Sequence, residues 1–166
     1  MANADQLFAA IPHLVIDSPA FADLSGEAVR VLMIIARQYD GRNNGLLQAT
    51  FSYCNERGVG SNHTVRSAIA ALIAHGFIYR TRSHGFEAGK NTWCRYALTW
   101  QPLCDKEKRK GLFLDGFVSR AWQKWPFDKK SEGQKLHHLL GKNCTFIEAN
   151  DAENALNREL KTAPYE

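Results

Sequence analysis

The chain has 166 residues, 45% of them hydrophobic, with 21 Lys and Arg against 17 Asp and Glu. That length suits one ordinary domain with an appendage, and that apolar content excludes a disordered composition. No run approaches the roughly 20 apolar residues of a membrane span, and the start, Met1, Ala2, Asn3, Ala4, Asp5, lacks the basic and apolar stretches of a secretory signal, so a cytoplasmic protein without a membrane partner is expected.

In chain order, Ser18 followed by Pro19 reads as a helix start, a cap with proline at the first helical position, and predicts a single turn through Asp23. Ser25 caps a longer predicted helix to about Tyr39, with Glu27 in its first turn. Ala28, Val31, Leu32, Ile35 and Tyr39 form one stripe, and Val29, Met33 and Ala36 widen it into a helix covered on most sides. The run Asp40, Gly41, Arg42, Asn43, Asn44, Gly45 is dense turn chemistry. Leu46 and Leu47 then suit a short strand.

A short helix over 50–57 should close at Gly58. Ser61 can cap the next helix by accepting from its orphan N–H groups. Val65, Ala68, Ile69, Leu72 and Ile73 recur at helical spacing as a buried stripe, and Gly76 supplies the left-handed stop. The opposite face carries Asn62, His63, Arg66, Ser67 and Ala70. Residues 77–82 and 93–100 read as two strands, rich in aromatic and β-branched residues. The tip between them, 83–92, holds two glycines and is expected to be a mobile loop.

Pro102 ends the hairpin, and 105–110 is a charged linker carrying Lys106, Lys108, Arg109 and Lys110. Beyond it Leu114, Phe117, Val118, Ala121, Trp122 and Trp125 fall at helical spacing until Pro126. Three readings of this stripe stay open: packing on the domain, a homodimer seam, or an extended arm that docks its aromatics singly or lies along DNA. Residues 135–140 and 148–160 look like further short helices.

Helix, turn, second helix and basic hairpin, in that order, are the sequence form of a winged helix-turn-helix. The expected fold is α+β, a three-helix core plus a β-hairpin wing over 8–102, with a partly helical C-terminal extension over 103–166. The combination of Asn43 to Gly45, Arg57 to Asn62, Thr64 and Val65, Leu72, Gly76 to Ile78 and Tyr96 to Trp100 resembles small winged helix-turn-helix proteins of prophages, plasmids and integrative elements. More broadly it is similar to the DNA-binding domains of replication initiators and MarR-like regulators. The resemblance covers roughly 8–102, Ile11, Pro12 and 18–24 included. It implies DNA binding as a transcriptional regulator or replication accessory, and the superfamily also holds protein-binding modules. One departure is that Val65 comes seven positions after Gly58, so the turn is one residue longer than in a plain helix-turn-helix.

Charge placement agrees with a nucleic-acid partner. Residues 1–48 hold Arg30, Arg37 and Arg42 against Asp5, Asp17, Asp23, Glu27 and Asp40, a balance of −2. Residues 49–100 hold Arg57, Arg66, Arg80, Arg82, Lys90 and Arg95 against Glu56 and Glu87, a balance of +4. Clustered positive charge is the footprint of phosphate contacts, with a solvated face as the plain alternative. Asn62, His63, Arg66 and Ser67 are the candidates for base edges, Arg66 for guanine and Asn62 for adenine or a phosphate. Ser61 and Thr64 are structural or phosphate-facing. His63 and His84 suit DNA contact and solvent equally. Arg80, Arg82, Lys90, Asn91 and Arg95 are the wing candidates, for backbone or minor groove, although strand positions of this kind also simply need polar residues.

Other chemistry is set aside. Cys54, Cys94, Cys104 and Cys144 show no Cys-x-x-Cys pair and read as free, largely buried thiols. His137 and His138 with Cys144 lack the rest of a tetrahedral metal set. No phosphate loop, nucleophile elbow or framed carboxylate pair is present. The expectation is double-stranded DNA as partner, with no enzyme activity, cofactor, metal or small-molecule substrate. The rival is a protein-binding module engaging a host replication or defence complex through Phe117, Trp122 and Trp125, since such aromatics are typical interface anchors. On the DNA reading, a chain ending at Trp100 should keep some duplex affinity.

Overall fold

The computed structural model describes residues 8–87, 90–105 and 109–126, with the backbone alone at 86, 87, 90 and 91. Within them the chain is α+β: five α-helices, a two-stranded antiparallel sheet and a second short ladder beyond it. The helices are α1 (His13–Ile16), α2 (Pro19–Ala22), α3 (Gly26–Ala36), α4 (Phe51–Asn55) and α5 (Asn62–Ala74). Four of them begin on a hydroxyl cap. Ser18, Ser25, Thr50 and Ser61 accept from the backbone N–H groups of Phe21, Ala28, Tyr53 and Thr64. These caps fix where each helix starts and therefore which residues face inward.

The core lies between α3, α5 and the sheet. Val31, Leu32 and Ile35 of α3 meet Val65, Ile69 and Leu72 of α5, while Cys54 of α4 and Val59 of the turn fill the side. Met33 departs from the expected stripe: it is 53% exposed. Three residues after Arg30 on the helix, it falls on the face that α5 does not cover.

The sheet joins β1 (Ile78–Arg82) to β4 (Arg95–Leu98), with Ile78 opposite Leu98 and Arg80 opposite Tyr96, and a register irregularity between Arg80 and Arg82. The short strand expected at Leu46 and Leu47 is a single bridge, Leu47 to Tyr96, with both backbone hydrogen bonds made, at 2.9 and 3.2 Å. Asn44 extends this edge with its side chain. Fully buried, it donates to the carbonyls of Leu98 and Gln101 and accepts from the Leu98 N–H at 2.7 Å.

Two expectations are corrected. The hairpin tip, expected as a loop, carries β2 (Gly85–Glu87) and β3 (Lys90–Thr92), which pair antiparallel with Gly85 opposite Thr92 and Glu87 opposite Lys90. The hairpin already holds its two strands side by side, so pairing resumes after the break at residues 83–84 and 93–94. The helical spacing over 114–125 does not give a helix; one 3-10 turn, Ala121–Lys124, is all that forms. Here the extended chain finds backbone partners on the domain instead. Phe113 N–H donates to the Thr81 carbonyl at 2.7 Å along the free edge of β1, and Arg120 N–H donates to Thr99 at 2.8 Å. The helices expected over 135–140 and 148–160, with His137, His138 and Cys144, lie outside the described residues.

Candidate nucleic-acid interface

The polar face of α5 is the clearest candidate surface. The turn before it is tightly specified. Gly58 takes φ +83°, Val59 is fully buried, and Val59 N–H returns to the Cys54 carbonyl at 3.1 Å. The Asn55 side-chain amide donates to the carbonyls of Val59 and Gly60 at 3.2 and 3.1 Å, which latches the extra turn residue. Sequence reading missed Asn55; its only mark was an amide four residues before a buried valine. The Arg57 guanidinium lies 3.6 Å over the Tyr53 ring and donates to the Tyr53 carbonyl, stiffening α4.

With Val65, Ala68, Ile69 and Leu72 buried, Asn62, His63, Arg66, Ser67 and Ala70 are all exposed. The structure therefore gathers the predicted base-edge residues on one face. Ser61 plays the structural part. Its Oγ accepts from Thr64 N–H at 3.1 Å and lies 2.9 Å from the Thr64 hydroxyl.

The hairpin arginines are more constrained than the sequence suggested. Arg95 donates to the Leu46 carbonyl at 3.0 Å, and the longer 3.5 Å contact of Arg82 reaches the Gly111 carbonyl. Arg80 hydrogen-bonds Tyr96 and lowers the cost of ionising it. Burial of the Tyr96 ring outweighs that effect and pushes the phenol well above its ordinary value. Each guanidinium is half-buried and partnered within the fold, so charge in this hairpin partly serves the hairpin itself. The side chains of Lys90 and Asn91 lie outside the described residues. Trp93 is exposed and meets His84 edge-on, centroids 5.8 Å apart, at the break between the two ladders.

Phe117, Trp122 and Trp125, candidates for a partner or dimer surface, are used within the chain. Trp122 is 4% exposed and stacks on Phe77 at 6.3 Å. Phe117 meets Tyr79 edge-on at 5.7 Å. Trp125 stacks on His75 at 5.1 Å, and the His75 Nε2 reaches the Asp23 carboxylate at 2.8 Å. Of the three readings of this stripe, the structure takes packing on the domain.

No family model, curated protein or solved structure matches the chain. No group of three or more His, Cys, Asp or Glu side chains able to hold a metal ion occurs among the described residues, and no helix among them is long and apolar enough to cross a membrane. Cys54 and Cys104 are buried and Cys94 half-buried, all as free thiols; burial pushes the Cys54 thiol up, partly offset by Arg57.

Proposed function

We propose that the chain is a winged-helix protein that binds double-stranded DNA sequence-specifically, with α5 in the major groove and the hairpin against the backbone or the adjacent minor groove. The observation that carries this reading is the α5 face: Asn62, His63, Arg66 and Ser67 exposed together at the N-terminal half of a helix whose other side is locked into the core. Short polar side chains and one arginine on a presented helix match the donor and acceptor pattern of base edges. The basic balance of residues 49–100 supports the same partner. By the resemblance noted above, the biological role is that of a transcriptional regulator or replication accessory protein of a mobile genetic element.

Binding-site selection from a random duplex pool, followed by affinity measurements across salt concentrations, tests it. With roughly four to six basic groups at phosphates, log K should fall with log salt at a slope of about −4 to −5. An enriched motif with that slope is the expected result, and a palindromic motif would add a homodimer. A pool without enrichment, together with a flat salt response, overturns the proposal.

The protein-partner reading rested on the aromatic segment. Phe117, Trp122 and Trp125 would have to leave contacts within the chain to serve as anchors or as a dimer seam. No observation now favours it over the DNA reading.

A further inference from the structure

A second surface, formed without any residue of α5, lies where α3 meets the end of α4. It is a shallow groove of about 630 Å³ lined by Ala9, Arg30, Met33, Ile34, Arg37, Glu56 and Arg57. Arg30, Met33 and Arg37 stand three and four residues apart on α3, hence along one exposed helix face. Arg57 is held by Tyr53 and Glu56, whereas Arg30 and Arg37 make no hydrogen bond or ion pair among the described residues. Two unpartnered guanidinium groups on either side of a methionine that is 53% exposed form an unfinished contact. Arginine and methionine are enriched at protein interfaces, and a phosphate backbone would have no use for the apolar floor.

The chain itself contains a segment of complementary chemistry. Residues 148–160, outside the described residues, carry Glu148, Asp151, Glu153 and Glu159 against Arg158, a balance of −3. Their sequence sets Ala149, Ala152, Leu156 and Leu160 at helical spacing, an apolar stripe with acids beside it. The 21 residues between Pro126 and Glu148 can span up to roughly 70 Å, well beyond the width of a domain of this size. Residues 1–7, which lead into Ala9, offer only Asp5 and cannot balance the groove.

We propose that the acidic segment 148–160 of the same chain docks in this groove, its carboxylates facing Arg30, Arg37 and Arg57 and its apolar stripe covering Met33. The surface that α3 leaves open is then the seat of the chain's own C-terminal region.

The chain has only two methionines, Met1 and Met33, so the methyl resonance of Met33 reports on the groove in the full-length protein. The test compares full-length protein with a full-length Glu148→Lys, Glu153→Lys, Leu156→Ser, Leu160→Ser variant. Docking predicts that the variant moves the Met33 methyl resonance, that molar salt moves the parent resonance in the same direction, and that the variant has no further effect in an Arg30→Glu, Arg37→Glu background. These arginines are exposed and lie outside the core, so that background should keep the parent's circular dichroism and cooperative unfolding. A Met33 resonance indifferent to the tail substitutions overturns the proposal. A shift that grows with protein concentration also overturns it, by assigning the groove to the tail of a second copy. Duplex affinity is not read in this experiment, so its outcome is independent of the DNA proposal.

Discussion

Single positions carry much of the specification, and two glycines show how. Gly76 and Gly58 both sit in the left-handed region, at φ +76° and +83°. A Cβ on Gly76 would lie 2.7 Å from the Trp122 backbone nitrogen and 2.8 Å from the Ala121 carbonyl carbon, whereas one on Gly58 meets only the end of the Arg30 side chain, at 3.1 Å. Both substitutions to alanine cost about 1–2 kcal/mol of backbone strain, and only Gly76→Ala must also displace backbone of the 3-10 turn Ala121–Lys124. Urea unfolding should show Gly76→Ala losing clearly more stability than Gly58→Ala; equal losses would remove the Trp122 contact from the account. Tyr96 makes a second prediction at this scale. Its phenol is raised above the unfolded value of about 10, chiefly by burial, then by Cys94, with Arg80 opposing. A raised folded value means that stability is intact below about pH 10 and falls above it, by about 1.4 kcal/mol per pH unit. Tyr96→Phe should flatten that alkaline limb, and an unchanged limb would show that Tyr96 ionises in the folded state.

Among the elements, α5 and the hairpin divide the basic residues into two kinds. Arg66 projects from a helix whose geometry is set by the Ser61 cap and the buried stripe, while Arg95 is spent on the Leu46 carbonyl beside the Leu47 bridge. Arg66→Ala should therefore cost roughly 1–3 kcal/mol of duplex binding and relax the preference at one base pair. Arg95→Ala should mainly lower the unfolding free energy, by about 1 kcal/mol. Parallel measurement of affinity and stability separates them, and the reverse assignment would move the reading surface from α5 to the hairpin. Four of the five helices were legible in the sequence, because Ser18, Ser25 and Ser61 cap locally and the apolar spacing of α3 and α5 is strong; the Thr50 cap and α1, which has no side-chain cap, were not read. The ladder at Gly85 and Thr92 was not legible, since pairing there follows from strands brought together elsewhere.

For the whole molecule, the described residues 103–105 and 109–126 pack on the fold they follow. Trp122 completes the core beside Phe77, Phe113 covers the edge of β1, and Cys104 N–H donates to the Asn44 carbonyl at 2.9 Å. Removing a buried tryptophan alone costs roughly 3–5 kcal/mol, a large share of a small domain's stability. A chain ending at Trp100 should consequently be unfolded or aggregated rather than retain duplex affinity, while one ending at Pro126 should keep the cooperative transition of the parent. Thermal unfolding of the two truncations decides the point. A well-folded chain ending at Trp100 would restore the boundary at 102 that the sequence suggested, where Pro102 and the charged run 105–110 looked like a linker.

What the sequence determined by itself is local: the caps, the glycine stops, the buried stripe of α5 and hence the identity of its polar face. Each depends on residues within a few positions of one another, and side-chain periodicity reports them directly. Tertiary structure alone decided where the aromatics of 113–125 go, that the hairpin arginines have internal partners, and that Asn44 stands in for a strand. It also decided that Met33 lies uncovered between two arginines. Those outcomes depend on which surfaces meet across long stretches of chain. An apolar residue at helical spacing is equally consistent with a helix stripe and with an extended segment laid along a sheet edge. The choice between them was made by the free backbone groups of β1 and the space beside Phe77.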